Sequence, residues 1–250
     1  MRIKMIMILL CLSQWALGQN ESLSSEHLKN IQKIQALFKT KNINGISKLI
    51  LYPLNREEPI PAVINEAALK KRFSQIFDQT IINKIVTAKP EQWSELGWRG
   101  VMLNDGELWI DEDGKIYAVN YQSTFEKNYK ASLIKKQKTV IHPSLVNFKK
   151  PTYTFKTKNY LVRIDEMADG SYRYASWKKV QDITSKPDII LLNGNIEFEG
   201  TGGNHTITFK SGGITYSVYR NKLGESDADF FLTVAQDGKT LLEEEGKFVK

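Results

Sequence analysis

Cysteine is almost absent from this chain: of 250 residues only Cys11 carries a thiol, and it stands inside the apolar run that opens the sequence. With that run set aside, the rest of the chain has no disulfide, thiolate nucleophile or cysteine-ligated metal available to it. Histidine is scarce too. His27, His142 and His205 are the only three, and they show no HExxH or paired-histidine spacing, so no metal site is expected. No G-x-S-x-G elbow occurs, and Gly200-Thr201-Gly202-Gly203 lacks the Lys-Ser or Lys-Thr that completes a phosphate-binding loop. Asp111-Glu112-Asp113-Gly114 fails as a calcium loop, because its glycine comes fourth instead of sixth and the twelfth position is Gln122. It reads as a hairpin turn. These absences leave no catalytic residue, metal ligand or cofactor to assign.

Long apolar runs are also missing. The one candidate, Met5 to Leu12, falls well short of the roughly 20 residues that span a bilayer, so no stable membrane anchor is expected. Met1-Arg2-Ile3-Lys4 before it and Ala16-Leu17-Gly18 after it complete the layout of a signal peptide, residues 1–18. Cleavage near Gly18 and a periplasmic or secreted location are the expectation. Losing Arg2 and Lys4 from 35 basic residues leaves 33 against 28 acidic ones, a net charge of +5.

What is present is ordinary globular material, 41% hydrophobic and 25% charged, which excludes disordered and collagen-like classes. From Ser24 to Thr40, Leu28, Ile31, Ile34, Leu37 and Phe38 recur at helical spacing behind a serine cap. Further helices fit Ile43 to Leu51, the stretch after Asn65, and Thr80 to Ala88. Strand patterns follow at Gly97 to Leu103, Glu107 to Ile110 and Lys115 to Tyr121, separated by Asn-Asp-Gly and Asp-Gly turns. Helices followed by an antiparallel meander make an α+β unit.

Tyr52-Pro53-Leu54, Asn65-Glu66 with Phe73 and Ile76-Phe77, Gly97-Trp98-Arg99-Gly100-Val101-Met102, Gly106-Glu107-Leu108-Trp109 and Gly114-Lys115-Ile116 together resemble a bacterial NTF2-like family over roughly residues 25–123. The resemblance implies a cone of helices on a curved sheet with a pocket in its mouth. Residues 19–125 are then the NTF2-like α+β domain, and Trp98, Arg99, Asp78 and Glu95 are candidate pocket residues.

Residues 126–158 read as a lysine-rich connector, with nine lysines and no acid between Lys127 and Lys158. Beyond it, 159–250 reads as all β: Asn159 to Met167, Tyr172 to Trp177, Ile189 to Leu192, Ile196 to Glu199, His205 to Phe209, Ile214 to Arg220 and Phe230 to Ala235. Short strands at this spacing suggest a small sandwich or barrel. This part only loosely resembles β modules of exported bacterial proteins.

The lysine belt interleaves with Tyr129, Tyr153 and Phe155, but export and modest net charge argue against nucleic acid. Steering of a protein partner with an acidic surface is the functional reading, through Lys135, Lys136 and Lys138. Tyr172, Tyr174 and Trp177 are of the residue types that anchor interfaces, whereas core packing is favoured for Trp98 and Trp109. The expected function is therefore a non-enzymatic exported binding protein, an inhibitor or immunity protein acting against a cell-wall-directed toxin or hydrolase. The alternative is a small-ligand binder or pocket enzyme built on the cone.

Overall fold

A computed structural model describes residues 23–249 apart from 201 and 225, so the expected leader and its cleavage point lie outside the described residues. The chain begins with α1 (Ser25–Lys39), α2 (Ile43–Leu49), α3 (Glu66–Ile76) and α4 (Gln79–Thr87). Each starts at a side chain that accepts one of the amide protons a helix leaves unpaired: Ser24 from His27, Asn42 from Gly45, Asn65 from Ala68, Asp78 from Thr80 and Ile81. Such caps contribute about 1 kcal/mol each. No helix among the described residues is long and apolar enough to cross a membrane.

The helices pack on a four-stranded antiparallel sheet, β1 (Trp93–Glu95), β2 (Val101–Leu103), β3 (Leu108–Ile110) and β4 (Ile116–Val119), in chain order. Here the cone expectation fails. The strands are three or four residues long, about 10 Å at most for three residues, too short to curl around a mouth. The space beneath them is filled. Phe38, Phe73 and Phe77 meet at ring-centroid distances of 5.1–6.3 Å, packed with Leu69, Ile81, Ile85, Val101, Leu108 and Ile110 in one continuous core. The unit is α+β, but it is not an NTF2-like cone.

A fifth helix, α5 (Thr124–Val140), leads to eight strands: β5 (Lys150–Lys156), β6 (Tyr160–Glu166), β7 (Tyr172–Lys178), β8 (Ile189–Glu199), β9 (Asn204–Ser211), β10 (Ile214–Arg220), β11 (Phe230–Gln236) and β12 (Lys239–Phe248). They form a closed antiparallel barrel in which each strand pairs with its neighbour in sequence and β12 returns to β5. Among the described residues these strands form no two-sheet sandwich. The lysine-rich segment 126–158 is itself structured: it holds most of α5, a tight helical turn at Pro143–Leu145 and the first barrel strand. The barrel therefore begins at Lys150, inside the expected connector.

Eight strands enclose a bore that side chains can fill, and here they do. Phe155 stacks on Phe230 at 4.3 Å, and Val162, Ile164, Tyr174, Ile207, Phe209, Val218 and Leu232 occupy the remainder. Asn193-Gly194, which reads as a turn in the sequence, lies inside the single long strand β8. Asn193 has φ +58° and the register with β7 shifts there, so the pair forms a bulge. A Cβ on Gly194 would come 2.2 Å from the Phe209 ring.

Helix α5 joins the two halves. At its start, Ser123 caps Glu126 and donates its hydroxyl proton to the Gln75 carbonyl. Near its end, Lys138 donates to the Phe148 carbonyl at 2.7 Å, and Gln137 accepts from Arg163 at 3.1 Å. The outer face of β6 and β7 is covered by Ile141, Leu145 and Phe148, which pack on Leu161, Ala175 and Trp177. Beneath this cover Asp165 receives both Arg163 and Arg173, each at 2.6 Å, and Arg173 also donates to the carbonyls of Leu145 and Asn147. Buried charges are tolerable when paired and hydrogen-bonded in this way.

A candidate binding cleft between the meander and the barrel mouth

In β3 the buried residues Leu108 and Ile110 point into the core, so alternation turns Trp109 to the opposite face. Tyr117 on β4 shares that face, and the Trp109 and Tyr117 rings lie 6.0 Å apart. The Trp109 indole is fixed by its Nε1 proton donated to the Gly106 carbonyl at 3.0 Å. Its Arg99 neighbour lies with the guanidinium carbon 5.8 Å from the Trp109 ring.

Trp98 and Arg99 sit on a tight helical turn, Gly97–Arg99. The turn is closed by Gly100 N donating to Gly97 O at 2.8 Å and Leu96 N to Gly100 O at 2.8 Å. Gly100 has φ +76°, and a Cβ there would lie 2.1 Å from the Ile110 carbonyl oxygen, so only glycine lets the turn press against β3. From the other side, the Tyr117 hydroxyl donates to the Arg99 carbonyl at 3.1 Å. The turn is thus braced, yet it leaves the Trp98 indole 64% exposed.

Opposite this aromatic face lie Gly202 and Gly203 from the β8–β9 loop and Leu223 from the β10–β11 loop. Together with Leu51, Trp98, Arg99, Trp109, Asp111, Tyr117, Ala118 and Asn120 they line a cleft of about 470 Å³. The two barrel loops are tied to each other by Asn204, whose side-chain oxygen accepts from Lys222 N at 2.8 Å and Leu223 N at 3.1 Å. They are also tied to the barrel interior. His205 Nδ1 is 2.9 Å from the Gly203 carbonyl, and its Nε2 is 2.8 Å from the Tyr153 hydroxyl. A carbonyl only accepts, so Nδ1 carries the proton and Nε2 accepts from Tyr153. Burial, with Lys222 and Arg220 nearby, pushes His205 below its ordinary value, and burial pushes Tyr153 up to about 12. Both neutral forms required by this relay are therefore favoured.

The sequence-derived candidates separate sharply. Trp98 and Arg99 share the cleft. Asp78 and Glu95 do not line it. Asp78 caps α4 and accepts from the Tyr121 hydroxyl at 2.9 Å. Glu95 receives Ser24 N at 3.0 Å and stands 3.1 Å from His27 Nδ1; these two contacts, Ser24 first, hold its carboxyl below the ordinary value. Both are structural ties.

Among the partner-binding candidates, Tyr174 and Trp177 are buried inside the fold, with Trp177 donating to the Ser185 carbonyl. Tyr172 is half-buried at the barrel end. Lys138 is held over the Phe148 ring at 4.7 Å, whereas Lys135 and Lys136 are exposed. Asp111, Tyr117, Leu223 and Gly202-Gly203 were not among the sequence candidates, and Trp98, a pocket candidate for which core packing was favoured, lies exposed at the cleft with Trp109 beside it. The usable signal was the alternation within Leu108-Trp109-Ile110, which forces Trp109 away from its buried neighbours.

Among the described residues no group of three or more His, Cys, Asp or Glu converges to hold a metal. Compared with protein-family models, curated proteins and solved structures, the chain matches none.

Proposed function

We propose that this chain is an exported, non-enzymatic binding protein whose ligand docks in the cleft between the meander and the barrel mouth. The observation that carries the reading is the exposed Trp98 indole, held on a braced glycine turn beside Trp109, Tyr117 and Arg99. A large aromatic kept in water by a stiff support is a pre-organised contact surface. The cleft volume is of the size that accepts small ligands or a partner's side chains. The test is direct: ligand-induced protection against thermal unfolding should appear in the wild type and vanish in Trp98→Ala.

A second reading, an inhibitor or immunity protein facing an acidic partner, is supported by Lys135 and Lys136. Both are exposed on α5, and among the described residues neither belongs to an ion pair. Exposed charges of one sign accelerate encounter with an opposed surface. Co-purification with wild type that is lost on the joint change Lys135→Gln and Lys136→Gln, and retained in Trp98→Ala, would favour this reading over the first.

A further inference from the structure

One face of α5 stands in solvent. Phe125, Tyr129, Ser132, Lys136 and Val140 follow at steps of three and four, so they share that face, and all five are exposed. The one buried side chain of the helix is Glu126. Two aromatics and a valine in water, at 48%, 36% and 49% exposure, are more than this helix needs to hold its place.

At its N-terminal end the stripe opens on a groove between α3 and α5. The Phe125 and Tyr129 rings lie 6.0 Å apart, and with Pro61, Arg72 and Gln75 they line a cavity of about 390 Å³. Arg72 is already engaged: it donates to the Pro61 carbonyl at 2.7 Å and stands 3.8 Å from Glu126. It therefore asks nothing of a guest, and what the groove offers is mainly aromatic surface.

The charge around the groove has one sign. The acids of α3 and α5 are Glu66 and Glu126, and each has its own cation, Lys70 and Arg56. Lys71, one turn before Gln75, is exposed, as are Lys135 and Lys136, and among the described residues none of these three belongs to an ion pair. Lys136 stands seven residues, about 10 Å along the helix axis, beyond Tyr129, within reach of a few extended residues. Cations around an apolar hollow complement an acidic surface with an apolar projection. A lipid surface would instead take up an apolar face that stands proud, and here the two aromatics line a recess.

We propose, building on the acidic-partner reading, that this groove anchors an acidic segment of a partner protein. One aromatic or large aliphatic side chain of the segment enters between α3 and α5, while its carboxylates meet Lys71, Lys135 and Lys136.

The experiment selects binders on the whole protein from a phage-displayed library of short random peptides and measures the enriched ones by calorimetry. The enriched peptides should be rich in Asp and Glu around one aromatic or large aliphatic residue. Their affinity should fall at least about tenfold in the joint change Phe125→Ala and Tyr129→Ala, the scale on which an apolar anchor acts. Gln75→Trp, which fills the groove and leaves both aromatics in place, should do the same and guards against misfolding of the alanine variant. Lys135→Gln with Lys136→Gln should weaken binding and flatten its salt dependence. Acidic peptides that need the lysines but are indifferent to both groove variants overturn the groove and leave the acidic-partner reading. Enriched peptides without acidic residues, or no enrichment, overturn both. Phosphatidylglycerol vesicles that bind the wild type and not the alanine variant, with no acidic peptide enriched, assign the face to a membrane and likewise overturn the proposal.

Discussion

Arg56, in the irregular segment before α3, and Glu126, in the first turn of α5, form a buried two-point ion pair. Arg56 Nε donates to Glu126 Oε1 at 2.8 Å, its Nη2 pairs with Oε2, and the same guanidinium donates to the carbonyls of Val119 and Tyr121. Neither side chain is more than 2% exposed, and a third group joins them, Arg72 Nη2 standing 3.8 Å from Glu126 Oε1.

Removing one partner takes the closest countercharge from the other in low dielectric. Glu126→Gln or Arg56→Met should cost about 3–5 kcal/mol of stability in urea unfolding. Replacing both by Met and Leu should cost less than Glu126→Gln alone, because the buried Arg56 charge is removed with its partner and only the part-exposed Arg72 loses a contact.

Trp177 and Trp98 should behave in opposite ways. Trp177→Ala empties a fully buried site beneath Ile141, Leu145 and Phe148 and should cost about 3–5 kcal/mol. Trp98→Ala should change unfolding stability by no more than about 0.5 kcal/mol, as surface substitutions do. Equal losses from the two would contradict the exposed setting of Trp98.

The two glycines flanking the Trp98 turn differ in a measurable way. Gly97 has φ +55° with open space around a would-be Cβ, while Gly100 meets the Ile110 carbonyl at 2.1 Å. Gly97→Ala should cost only the left-handed backbone strain, about 1–2 kcal/mol. Gly100→Ala should cost more than that and also abolish cleft binding, since the turn must move away from β3.

A carboxylate–lysine cluster spans the junction and predicts an acid limit. Glu57 pairs with Lys130 at 2.8 Å and with Lys150 at 3.3 Å, and Lys150 reaches Glu166 at 3.3 Å, with Lys149 at 2.6 Å from the same carboxyl. Burial works to raise both carboxyls, but the lysines outweigh it and hold them below their ordinary 4.5. Groups with lowered folded values stabilise above the unfolded value, and that stability is lost as pH falls through the folded one. Unfolding free energy should therefore drop as pH falls below about 4.5, and Lys150→Met should flatten that limb while lowering stability at neutral pH.

Within the lysine belt the three candidates should also divide. Lys135→Gln with Lys136→Gln should leave unfolding unchanged, whereas Lys138→Gln should cost about 1 kcal/mol through its bond to the Phe148 carbonyl. Any effect on the association rate with an acidic partner should come from the first pair and fade with salt.

Much of the helical half was legible because its signals are local. Ser24 and Asn65 announce helix starts whatever lies elsewhere in the fold, whereas Asp78, read as a pocket residue, is a cap of the same kind. The barrel was legible only in part. β12 carries Glu243-Glu244-Glu245, and β5 carries Lys150-Pro151, so neither looks like a strand until its partner is known. Glu244 is nevertheless buried, where it accepts from Asn159 N at 3.1 Å and from the Asn159 side chain. Asn193-Gly194 carries the residues of a hairpin turn yet sits in a bulge, because φ beyond zero is wanted in both. The cleft was least legible: its two walls come from residues about a hundred positions apart, and nothing local in Gly202-Gly203 or Leu223 points to Trp98.

The closing seam of the barrel imposes an order of events. Seven of its eight pairings join strands adjacent in sequence, and the eighth joins β12 to β5 through Lys247–Lys156 and Phe248–Phe155. Hairpins form within microseconds, but this last pairing waits for the C-terminal strand. A chain made from its N-terminus onward therefore holds an unfinished sheet with two bare margins until β12 has been added. Self-association in that interval is the hazard of such margins. The lysines of β5 and the glutamates of β12 place charge along both margins of the unfinished sheet, before Lys150 meets Glu57 and Glu166 and Glu244 meets Asn159.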